Sequence, residues 1–342
     1  MLMANIRVDW HDAEAHISLA AQIAPLLVPL GRAVSFRPHW SGGNHVNARV
    51  RMTDDDRIEA DLKTATAVLG EWVAKRPLAE ISVPESSILV QLAQAEGHRP
   101  DDSPHPNRTA TLSFEQERKY LGSQELSVVR VAFEEGTAFP ILDLYSSKGS
   151  ASTSGRLTLL LVETASLYRS GGLRNGVRSL RAHGESFLAI RPMLRPSFDR
   201  LYERSREQLA MAVGRLLSGT GATDKLLSTV TKCGNDIDVL GVSCPEKILA
   251  AGAHSLGTES GSERWHPAIT KWVSSRVLEG SEEERFSFAR HRVLINLVYT
   301  LFPLTGVNAI GRFAAAYIGA RVVSDCLGLE DDYFDIPKEN QL

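Results

Sequence analysis

The sequence predicts an α+β fold, with strands gathered in the first third and helices filling the rest. Two observations carry this. The runs AVSFRPHW (33–40) and HVNARVRM (45–52) alternate with period two around the turn SGGN, which reads as a hairpin. From residue 123 onward, apolar side chains recur at helical spacing in long stretches separated by Gly- or Pro-bearing breaks.

Residues 5–10, containing IRVDW, read as a strand. Residues 12–31 (DAEAHISLAAQIAPLLVPLG) have helical spacing, with Asp12 as the cap. TDDD (53–56) signals the start of a helix that runs through Ala74, and PESS (84–87) starts another. HRPDDSPHPNRT (98–109) has three prolines and no periodicity, so it is an irregular, linker-like loop. ATLSF (110–114) reads as a short strand. Helices are expected over 123–133, 155–170, 174–190, 197–217, 223–239, 245–256, 263–278, 281–302 and 307–327. The breaks between segments are GTAFP, SKGSASTSG, SGG, SGTGATD and GTESGSE. No internal repeat is present. The expected organisation is one domain over 1–330, strand-rich to residue 122 and helical from 123, with a tail at 331–342.

Composition narrows the function. With 43% apolar and 23% charged residues, 342 residues are enough for a sizeable core. A net charge of −3 argues against a dedicated binder of nucleic acid or of an anionic membrane. Cys233, Cys244 and Cys326 match no metal or redox spacing and read as reduced, buried thiols. The N-terminal MLMANIRVDWHD lacks the apolar run of a signal peptide, and no apolar stretch is long enough to span a bilayer. A cytoplasmic protein is expected. HExxH, EF-hand, Walker A, GxGxxG and GxSxG patterns are all missing. An enzyme of this sequence is therefore expected to work with side chains and shape, with no cofactor and no metal.

The segment SEEERFSFARHRVLINLVYTLFPL (281–304) is the most informative. Ser281 and Glu284 form a capping-box pattern. Beyond them the helix is apolar around most of its circumference, so it is expected to be central. Arg292, Asn296 and Tyr299, at i, i+4 and i+7, share one face. A buried arginine and asparagine are costly unless they are paired or face a polar cavity. Two readings stand: structural pairing with carboxylates, or a functional cleft. Ser287 lies about 120° from Tyr299 on an ideal helix, so joint action needs a bend or a wide cleft.

Three segments carry a resemblance. The hairpin has the form aromatic-x-Gly-x-His-h-x-h-Arg-h-Arg and follows "PLLVPLG". SFEQERKYLG (113–122) matches an aromatic-x-x-Glu-x-x-Arg-Tyr-Gly-Gly pattern, and LINLVYTLFPLTGVNAIGRF (294–313) matches a late helix and its small turn. In this order they resemble the elimination-type C-terminal domain of lantibiotic dehydratases, also found as stand-alone thiopeptide-type bacteriocin biosynthesis proteins, over residues 5–328. This chain departs from the elimination branch. It has no late-helix histidine near Tyr299 to Phe302, Lys119 stands where the family has arginine, and Asn47 replaces the first arginine of the strand motif. It is more similar to the pyridine synthase branch, which uses a late-helix tyrosine and a serine; here these would be Tyr299 and Ser287.

The resemblance implies a formal [4+2] aza-cycloaddition between two dehydroalanines of a linear azole-bearing peptide. Water and the leader peptide are then lost, which closes a macrocycle around a pyridine. Arg292 and Asn296 would support Tyr299. The implied partners are the ribosomally made precursor with its leader and other enzymes of the pathway, with no nucleic acid and no membrane. In this reading the hairpin forms one wall of a cleft. Trp40 stacks on an azole. His45 orients the substrate or is an ordinary strand histidine. Arg49 and Arg51, on one strand face, bind peptide carbonyls or an acidic leader, or else pair with Asp54 to Asp56. Tyr120 contacts substrate or belongs to the core, and His183 in LRAHGESF is a further candidate. Two alternatives stay open: a glutamate-elimination subunit that makes dehydroalanine, and a non-catalytic peptide-binding scaffold.

Overall fold

The alternation read from the sequence becomes a four-stranded antiparallel sheet in the computed structural model. This structure describes residues 1–10, 16–39, 45–53, 55, 57–76, 106–169, 171–221, 224–254, 280–307 and 309–329. Several expectations lie outside the described residues: Asp12, Trp40 and its turn, Asp54 and Asp56, the helix after PESS, most of the 98–109 loop, the 263–278 helix and the 331–342 tail. By contacts the chain divides into two compact units. The first comprises 1–118, 134–150 and 303–306, and the second 119–133, 151–302 and 307–342.

In the first unit, strands β1 (Leu2–Asp9), β2 (Val34–His39), β3 (His45–Arg51) and β4 (Thr109–Gln116) lie in the order β2-β3-β1-β4. The register pairs Val8 with Val46, Ile6 with Ala48 and Val34 with Val50, so one sheet face is apolar. Helices α1 (His16–Leu27) and α2 (Ile58–Ala74) pack against the strands and each other. They bury Ile17, Ile23, Leu27, Leu62, Leu69 and Val73. Because side chains alternate, the other face collects Asn5, Arg7, Asp9, Arg37, His45, Arg49 and Arg51. The acidic signal at 53–56 sits slightly ahead of its helix: Asp55 accepts the Arg57 amide, and its carbonyl accepts from Ile58.

In the second unit, α4 (Gly172–Ile190) and α5 (Arg195–Leu217) pack on α10 (Ala309–Leu327). Helices α6 (Lys225–Ser243) and α7 (Pro245–His254) pack on α8 (Glu282–Tyr299). A short α9 (Leu301–Leu304) follows α8 but belongs to the first unit only from Pro303. Two glycines set how closely α4 approaches its neighbours. A Cβ on Gly176 would sit 2.0 Å from the Ala165 carbonyl, and one on Gly184 would sit 2.8 Å from Tyr317 Cβ.

Two expectations are corrected. The helix expected at 123–133 runs on through GTAFP to a kink at Gly149, inside the expected break SKGSASTSG, and the second expected helix follows that kink; together they make α3 (Gln124–Ser166). It passes through Pro140 and leaves helical geometry only at Gly149. Val131, Phe133, Ile141, Leu142, Leu157 and Leu161 are buried along it, and that packing overrides the local breakers in GTAFP. Of the three thiols only Cys233 is buried; Cys244 is half-buried and Cys326 exposed. Burial pushes the Cys233 thiol up to about 12, so it is not a reactive thiolate.

Candidate functional site

Helix α8 starts on the capping box the sequence predicts. Ser281 Oγ accepts the Glu284 amide while Glu284 reaches back to the Ser281 amide. Its apolar residues from Phe288 onward are buried as expected, with Phe286 half-buried, but so are three consecutive cationic or titratable side chains, Arg290, His291 and Arg292. At about 100° per residue they point to three different neighbours. Arg290 pairs with Asp238 of α6 at 2.7 Å and donates to the Leu167 carbonyl at 3.0 Å. His291 packs its ring edge-on to Tyr168, 5.1 Å between centroids. Arg292 donates to His183 Nε2 on α4.

His183 also meets Tyr299. Its Nδ1 lies 2.6 Å from the Tyr299 hydroxyl, and the two rings stack at 5.3 Å. Arg292, His183 and Tyr299 are therefore one buried hydrogen-bonded chain. The seven-residue spacing of Arg292 and Tyr299 puts both on the helix face that meets His183. The Arg312 guanidinium lies over the Tyr299 ring at 5.2 Å, and Phe302 meets that ring edge-on at 6.0 Å.

Burial dominates the electrostatics. It holds the His183 imidazole well below its ordinary value, and Arg292, Arg312 and His291 push the same way. Burial, then Arg292 and Arg290, lower His291 to about 3. Burial lowers Arg292 to about 10, with Tyr299 and Tyr120 opposing the shift, so it stays charged near neutrality. Burial raises the Tyr299 phenol above its ordinary value despite Arg312 and Arg292, so the hydroxyl keeps its proton. The cluster thus presents a cation, a neutral imidazole and a protonated phenol in a dry site. Such a cluster can donate hydrogen bonds from the guanidinium and from the phenol.

A pH effect follows. A folded-state histidine held near pH 3 leaves the unfolded chain binding more protons at any pH between that value and its ordinary one. Stability contributed by the neutral form is complete above about pH 6.5 and is lost as pH falls. His291 alone is expected to cost about 2 kcal/mol between about pH 6.5 and 5. Urea midpoints should fall less steeply with acid in His291→Leu than in the parent; equal slopes would contradict the assignment.

No family model matches the chain, and no curated protein matches it by sequence. Solved structures do match. The structure of a pyridine synthase, TbtD, from thiomuracin biosynthesis superposes with a TM-score of 0.64 at 20% identity, covering 96% of this chain and 100% of that one. The crystal structure of TsrL gives a TM-score of 0.60 at 13% identity, covering 96% of each chain. The chain has the fold of these two proteins. The α+β class and the fold implied by the three sequence segments agree with that likeness.

Of the residues singled out in sequence, His183, Arg292 and Tyr299 come together. Asn296 is half-buried on the same helix. Ser287 is buried, and its hydroxyl has no hydrogen-bond partner among the described residues. Tyr120 is buried in the same unit, with Arg130 over its ring at 5.0 Å. His45, Arg49 and Arg51 belong to the first unit. His45 Nδ1 is 4.0 Å from Asp9. Arg49 is buried on Glu117 and Asn5, and Arg51 pairs with Glu135 at 2.8 Å. Pairing with the acidic run at 54–56 is not what the described residues show; Asp55 is taken by Arg32. Sequence reasoning missed His291, Arg312, and the buried hydroxyls of Ser179 and Ser186. These two serines lie on the His183 face of α4 and have no hydrogen-bond partner among the described residues. The spacing Ser179, His183, Ser186 (i, i+4, i+7) was the available signal. Among the described residues there is no cluster able to hold a metal, and no helix long and apolar enough to cross a membrane.

Proposed function

We propose that this chain is a pyridine synthase of a thiopeptide pathway. Its substrate is a linear, azole-bearing peptide with two dehydroalanines and a leader. The amide beside one dehydroalanine tautomerises to a 2-azadiene by moving its N–H proton to oxygen. The second dehydroalanine adds across its two carbon ends, the imidic-acid carbon and the methylene, forming two C–C bonds while the C=N and the two C=C π bonds become one new C=N within the ring. The hydroxylated ring then loses water, and it becomes aromatic when the leader leaves as its amide. No electrons enter or leave from outside, so the reaction needs no redox partner.

The observation that carries this reading is the buried Arg292–His183–Tyr299 chain, set in a fold shared over nearly its full length with a pyridine synthase. A protonated phenol beside a charged guanidinium suits the needs of this sequence: donating to the imidic-acid tautomer and protonating the hydroxyl that departs as water. Holding two distant parts of one peptide together supplies much of the remaining rate. In this reading Tyr299 is the proton donor, with Arg292 and Asn296 supporting it and Ser287 lining the site. Trp40, His45, Arg51 and Tyr120 contact the peptide, while Arg49, buried on Glu117 and Asn5, holds the strand that carries His45 and Arg51.

Mass spectrometry of the purified chain with such a peptide tests the proposal. A cyclised core together with free leader amide is the expected result. An unchanged peptide, with loss of glutamate from a glutamylated-Ser peptide in the parallel reaction, would replace the proposal with the elimination reading. No change in either peptide would leave a binding scaffold.

A further inference from the structure

Resting on that reading, we infer that His183 is a positioning residue that fixes the direction in which the Tyr299 hydroxyl points its proton. The argument is one of donors and acceptors. A guanidinium has only N–H donors, so His183 Nε2, which faces Arg292, must accept and cannot carry a proton. A neutral imidazole then carries its proton on Nδ1. That Nδ1–H lies 2.6 Å from the Tyr299 oxygen and donates to it. Because the oxygen accepts from His183, the phenol's own proton points elsewhere, available to a substrate atom. Without this order the phenol could donate to the imidazole and spend its proton inside the protein. The charges facing His183, from Arg292 on α8 and Arg312 on α10, both oppose an imidazolium, which would need a proton on Nε2 facing Arg292.

The packing of α4 keeps the imidazole in place. Gly176 lies against the Ala165 carbonyl and Gly184 against Tyr317, on either side of His183 in the helix, so the ring cannot withdraw by a shift of α4. The stacked arrangement of the two rings, 28° between planes, fixes the remaining rotation.

The first test uses the full-length chain labelled with nitrogen-15 histidine, without substrate, near pH 7. Long-range proton–nitrogen correlation, with His183 assigned by its absence in His183→Asn, is expected to show a protonated Nδ1 and a bare Nε2. A protonated Nε2, or both nitrogens protonated, would overturn the inference. The second test is kinetic. His183→Leu should lower kcat for cyclisation roughly 10- to 100-fold at unchanged KM, in the range seen when a partner that orients a reacting group is removed. His183→Asn, whose amide N–H reaches towards the place of Nδ1–H, should recover part of the loss. The double variant His183→Leu/Tyr299→Phe should be no slower than Tyr299→Phe alone. Additive losses, or a His183→Asn no better than His183→Leu, would sink the positioning role. If the wild-type chain fails to cyclise the peptide, the substrate reading fails, and the spectroscopic arm still decides the hydrogen-bond order.

Discussion

Tyr299→Phe is expected to lower kcat for peptide cyclisation by about 10²–10³-fold, the usual loss when one preorganised donor to a developing charge is removed. The substitution deletes one oxygen and keeps the ring, so the contacts with Phe302, Arg312 and the His183 face remain. KM should therefore move little, and the loss should appear as a transition-state effect. The protein also loses the acceptor of His183 Nδ1–H. Leaving that buried donor bare is expected to cost about 1–3 kcal/mol of folding stability. The two readouts separate the roles: a core tyrosine would show the stability loss with kcat intact. Single-turnover mass spectrometry beside urea unfolding measures both on one preparation. An undiminished kcat would remove Tyr299 from the chemistry.

How much of this was legible in the sequence depends on how far apart the interacting residues lie. The hairpin was readable because alternation is a local property of the strand, and β2 and β3 fall within a residue of the expected bounds. The late helix was readable for the same reason: its cap and apolar girth are local, and Arg292 and Tyr299 stood out as polar residues on it. Their meeting point was not readable. His183 lies 109 residues before Arg292 and 116 before Tyr299, so only the fold brings them together. The partners of the hairpin arginines were out of reach for the same reason. The nearest acids in sequence were Asp54 to Asp56, whereas the partners found are Glu117, 68 residues from Arg49, and Glu135, 84 residues from Arg51. Pro140 inside α3 erred in the opposite direction: a strong local signal for a break lost to the burial of Phe133 and Ile141.

Glu117→Leu is expected to destabilise the chain by about 3–5 kcal/mol, the cost of leaving a buried charge without its counter-charge. Arg49 is almost fully buried and is held by Glu117, by Asn5 at 2.9 Å and by Glu134 at 3.5 Å. Arg37 reaches Glu117 at 3.1 Å and Glu134 at 2.8 Å. The two guanidiniums thus share two carboxylates. Burial, then the Arg37 charge, lowers the Arg49 value. Removing Glu117 leaves two cations facing Glu134, with the half-exposed Glu115, 3.7 Å from Arg49, as a further counter-charge. Arg49→Met should cost less, because Glu117 keeps Arg37 and the buried Arg49 side chain is replaced by one of similar volume. The double variant Arg49→Met/Glu117→Leu should be more stable than Glu117→Leu alone, since no uncompensated buried cation remains at that position. Urea unfolding of the three variants gives the order directly. An Arg49→Met that costs more than Glu117→Leu would mean that Arg49 stabilises by packing and by its bond to Asn5. The expected order assigns Arg49 to the framework of the sheet. Arg51, paired with Glu135 and with over a third of its side chain exposed, is the more accessible of the two β3 arginines.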